Sequence, residues 1–70
     1  MTDKETRSAD AAYQQHWDAI QAEIRKLQAG LRIHRKEQKA DPRNWGFVGD
    51  MCRVHELVRQ ASSFINGEEE

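Results

Sequence analysis

The chain has 70 residues, a formal net charge of −1, 37% apolar residues and a single cysteine. So short a chain makes one domain at most and buries a thin core, and one cysteine excludes an internal disulfide to reinforce it. No apolar run approaches the ~18–20 residues of a membrane span, and a near-neutral charge singles out no anionic or cationic partner. One thiol and no secretory leader make a reducing cytoplasm the expected compartment.

Residues 1–8 are polar, lack an apolar period and are expected to form a disordered tail. Ser8 reads as an N-cap, and Asp10 suits the positive end of a helix dipole, so a first helix is expected over 9–40. Its large apolar residues are Tyr13, Trp17, Ile20, Ile24, Leu27 and Leu31, at steps of 4, 3, 4, 3 and 4. Only a helix places such a heptad seam on one face. With Trp17, Ile24 and Leu31 at a, the residues Tyr13, Ile20, Leu27 and His34 fall at d, and Gln14, Gln21, Gln28 and Arg35 form a polar e row. The outer c and f positions hold Ala12, Ala19, Ala22, Ala29, Ile33 and Ala40. Helix propensity accounts for the alanines, while Ile33 suggests a second packing surface. Gly30 costs roughly 1 kcal/mol against alanine in mid-helix, which close helix contact or a bend would explain.

Arg35, Lys36 and Lys39 suit the closing turns of the first helix, and Asp41-Pro42-Arg43-Asn44 reads as a turn over 41–44. Asn44 is the better N-cap for a second helix over 45–66, with Asp41 the competing start. Its seam runs through Phe47, Met51, Val54, Val58, Ala61 and Ile65, and Leu57 and Phe64 broaden it. Gly67 is a natural stop, leaving 67–70 as an acidic tail.

Two seams joined by a turn predict an all-α fold, an antiparallel helical hairpin of two long helices. Pairing about the turn puts Met51 near His34, Val58 near Leu27 and Ile65 near Ile20. The first helix spans ~43–48 Å and the second ~33 Å, so the Tyr13 end overhangs its partner. A second copy, running antiparallel, covers that overhang. The expected assembly is a homodimeric four-helix bundle with Tyr13, Trp17, Ile20, Leu57 and Phe64 at the dimer interface.

Charge is unevenly placed along the chain. Residues 1–24 carry two basic and five acidic side chains, net −3. Residues 25–43 carry seven basic and two acidic, net +5, and residues 44–70 two basic and five acidic, net −3. Arg25, Arg32 and Lys39 share one row of the first helix, with Lys36 and Arg43 beside them. Such a stripe can grip phosphates, although charge on an outer helix face more often only solvates it.

The stretch from Asn44 to Asp50 holds two aromatics and two glycines, more than a connection needs. Trp45 is expected to fold over the turn and lock it, or to stand exposed as a binding anchor. Gly46 and Gly49 would leave a flat helix face for close contact. Cys52 and His55 form a Cys-x-x-His half-site that lacks a second pair, and His34 occupies a seam position where it either fixes register or lies exposed. No motif calls for a cofactor, a metal or a catalytic residue. The expected function is therefore a small non-enzymatic protein–protein interaction module, working as a helical homodimer. Trp45, Phe47 and Ile33 would contact an unidentified protein partner. The alternative is a nucleic-acid-binding hairpin dimer that uses Arg25, Arg32, Lys36, Lys39 and Arg43.

Overall fold

The computed structural model describes residues 3–68, with side chains from residue 7 onward. Two helices, α1 (Asp3–Ala40) and α2 (Trp45–Asn66), account for almost all of it, and no strand occurs among the described residues. The chain divides after Ile33 into two units. The first is the leading part of α1. The second joins the last turns of α1 to the connection and α2.

Helix α1 begins at Asp3, six residues ahead of the expected start, and Ser8 lies inside its second turn instead of capping it. Of the expected tail over 1–8, residues 3–8 fall within the bounds of α1, and residues 1 and 2 lie outside the described part. Residues 3–8 contain neither glycine nor proline. Nothing there opposes propagation, which adds one hydrogen bond for each residue fixed.

The connection closes through its own backbone. Asp41 N donates to Gln38 O at 3.1 Å, and Asn44 N donates to Asp41 O at 3.2 Å. Asn44 then takes the cap in extended conformation (φ −82°, ψ 106°), its Oδ1 accepting from Gly46 N at 2.9 Å. Asn44 Nδ2 donates to Asp41 Oδ2 at 3.2 Å, so the competing start holds the chosen one in place. The cap thus falls at Asn44, which has the extended backbone a cap requires and whose side chain reaches Gly46 N.

Helix α2 ends in a Schellman motif. Gly67 is left-handed (φ 67°), its N donates to Phe64 O at 3.3 Å, and Glu68 N donates to Ser63 O at 2.8 Å. Gly67 is the one described residue with positive φ, where a Cβ would be strained. Gly67 and Glu68 are described from the expected acidic tail, and 69–70 lie outside.

The helices satisfy their backbones, yet no described residue is buried. The Gly46–Gly49 pattern divides in the same way. A Cβ on Gly49 would meet nothing within 4 Å, whereas a Cβ on Gly46 would stand 2.9 Å from Asn44 Oδ1. Gly46 thus makes room for the cap, and Gly49 makes room for nothing within the chain. Denaturant unfolding should show Asn44→Ala losing about 1 kcal/mol. Gly49→Ala should gain roughly 1 kcal/mol from helix propensity, while Gly46→Ala gains nothing because it displaces the cap oxygen.

Candidate partner-binding surfaces

The seam of α1 stands open to solvent. Tyr13 is 66% exposed, Ile20 55% and Trp17 50%, and only Leu27 and Leu31 are partly covered. Tyr13 and Trp17, one turn apart, stack with ring centroids 6.4 Å apart and planes 22° from parallel. Beside them Gln14 Nε2 donates to Asp18 Oδ1 at 3.0 Å, and Lys26 Nζ lies 3.3 Å from Glu23 Oε1. Both polar links run along the helix flank and leave the apolar row bare. Ile33, on the outer face, is exposed as well.

In α2 the seam grades from half-buried to open. Phe47, Met51 and Val54 are partly covered, and Leu57, Val58, Phe64 and Ile65 are exposed. The covered end meets the last turns of α1 at His34. The His34 and Phe47 rings meet edge to face, 5.2 Å between centroids and 87° apart. His34 Nε2 lies 3.0 Å from Asp50 Oδ2. A carboxylate only accepts, so this bond needs the proton on Nε2.

His34 is thus half-buried and engaged by Phe47 and Asp50, both from the start of α2. A seam that alternates in steps of 3 and 4 draws attention to apolar positions only. Asp50 was missed for that reason, although its place three residues after Phe47 sets it on the same face.

Trp45 does not lock the turn. It is 80% exposed, and the connection is closed by Asn44, Asp41 and Gly46 instead. The structure thus separates the two aromatics of this stretch: Phe47 packs on His34, and Trp45 faces solvent.

Arg25, Arg32, Lys36, Lys39 and Arg43 are exposed, and none has an ion-pair partner among the described residues. Lys26 and Arg53, by contrast, sit near Glu23 and Glu56 on their own helices. Cys52 is a free, exposed thiol, and His55 and His16 are exposed. Among the described residues no three of His, Cys, Asp and Glu gather as a metal ion would need. No described helix is long and apolar enough to cross a membrane.

No protein-family model matches this chain, and neither the curated proteins nor the solved structures include a significant match to it.

The two His34 contacts differ in kind, and double-mutant cycles should separate them. The Asp50 side chain is 64% exposed, so the His34→Ala/Asp50→Ala coupling should stay below about 1 kcal/mol. The His34→Ala/Phe47→Ala coupling should reach ~0.5–1.5 kcal/mol and ignore salt.

Proposed function

We propose that the protein is a non-enzymatic interaction module whose working form is a homodimer of helical hairpins. Two copies share their seams in a four-helix bundle. The observation that carries this reading is the α1 row from Tyr13 to Leu31, a heptad seam with no buried member. Fully burying a side chain of this kind is worth ~1.5–3 kcal/mol, and a 70-residue hairpin has no other large reserve. The second copy supplies the missing cover.

Once the seams are shared, Trp45 and Ile33 remain on the outside as contacts for a different protein. An indole beside a closed turn suits an anchor, because tryptophan brings large area with little conformational freedom to lose. Adaptor, assembly and inhibitor roles all fit such a surface.

The five cations, without an ion-pair partner among the described residues, support a second reading, a dimer that grips nucleic acid through its phosphates. The two readings differ in their response to salt. Phosphate contacts release counterions, so affinity would fall steeply with ionic strength and weaken on Arg32→Ala or Lys39→Ala. A protein-binding module would be indifferent to both and sensitive to Trp45.

Sedimentation equilibrium should give about twice the 8.2 kDa of one chain. Ile24→Asp should abolish the dimer and most of the helicity together, since a charge in the seam forbids its burial. A cooperatively melting helical species of 8.2 kDa would refute the dimer. Trp45→Ala should leave mass and helicity unchanged while removing the protein partner recovered by pull-down from native extract, with or without nuclease.

A further inference from the structure

We infer that the second copy docks on α1 antiparallel to it, about a two-fold axis level with Ala22. The inference rests on the homodimer reading above and specifies which helices meet and in what register. Three features of residues 7–33 carry it.

The first is the spacing of the seam. Steps of 4, 3, 4, 3 and 4 read the same in both directions, and their midpoint is Ala22. Reversing a copy about that point brings every seam residue onto a seam residue: Tyr13 onto Leu31, Trp17 onto Leu27, Ile20 onto Ile24. Each layer then joins an a position to a d position. The largest side chains meet leucines, so layer volumes are evened along the interface. A parallel pair in register would set Trp17 on Trp17 and Tyr13 on Tyr13, overfilling one end.

The second feature is charge. Residues 7–24 carry Arg7 against Asp10, Asp18 and Glu23, net −2, and residues 25–33 carry Arg25, Lys26 and Arg32, net +3. The sign changes beside the same midpoint. Antiparallel docking lays each negative half along the positive half of the other copy, with Asp18 level with Lys26. Parallel docking lays like on like within a Debye length of ~10 Å, which is repulsive.

The third feature is the flank. In an antiparallel pair the e row of one helix runs along the e row of the other. Gln14, Gln21 and Gln28 are symmetric about Gln21, so an amide meets an amide at each step, able both to donate and to accept. On the opposite flank Glu23 meets its own counterpart, the one like-charged meeting within 13–31. Lys26, already 3.3 Å from Glu23, offsets it.

Pulsed electron paramagnetic resonance on the full chain tests this register. Nitroxide labels are placed singly at Gln15→Cys, Ala22→Cys and Ala29→Cys in a Cys52→Ser background. All three sites lie on the outer f row and leave the seam intact. The expected result is a shortest separation at Ala22, with longer and equal separations at Gln15 and Ala29. The 14-residue offset there adds an axial component of about 21 Å at 1.5 Å per residue. Equal separations at all three sites mean a parallel pair, and unequal ones at Gln15 and Ala29 mean a shifted register. Either overturns the inference while a dimeric mass leaves the homodimer standing. A mass of 8.2 kDa with no dipolar signal removes both.

Discussion

A helix with an apolar stripe must lay that stripe against something, and the other features of this protein follow from how far that demand goes unmet within one chain. Eleven large apolar residues stand exposed among the described residues, and none is buried. At ~1.5–3 kcal/mol for each side chain moved from water to a core, partial cover is of the same order as the ~5–15 kcal/mol by which domains are stable. Backbone hydrogen bonds and propensity do not replace that term, because isolated helices are marginal in water and draw most of their stability from packing. The caps at Asn44 and Gly67 decide where α2 starts and stops. They do not decide whether it persists.

The helices were legible because their signals are local. The seam spacing, Pro42, Asn44 and Gly67 each act within one turn of themselves, and α2 spans Trp45–Asn66 as those signals require. The start of α1 was misplaced for an instructive reason. Ser8 has the chemistry of a cap, but capping chemistry is neutral unless the chain also leaves helical geometry there, and residues 3–7 give it no cause to. A side chain that can cap is no evidence of an end.

The turn region was legible in part. That 44–50 is unusual was plain from its two aromatics and two glycines, yet which aromatic would pack was not. The deciding residue is His34, sixteen positions before Asp50, and its pairing depends on the path of the connection. The polar partner was hidden because seams are traced by hydropathy, and a carboxylate beside one reads as ordinary flank. Surfaces whose occupant is another molecule leave still less trace. A row of bare cations looks alike whether it meets water, phosphate or an acidic helix.

Trp45 follows directly from the way its turn is closed. Asn44 and Gly46 complete the start of α2 between themselves, so the indole next to them contributes no visible cohesion. A single apolar ring in water is ordinary on a protein surface. Alanine or glutamate would serve the helix better at that position. The ring is therefore dispensable to the start of α2, and its area is left open to solvent.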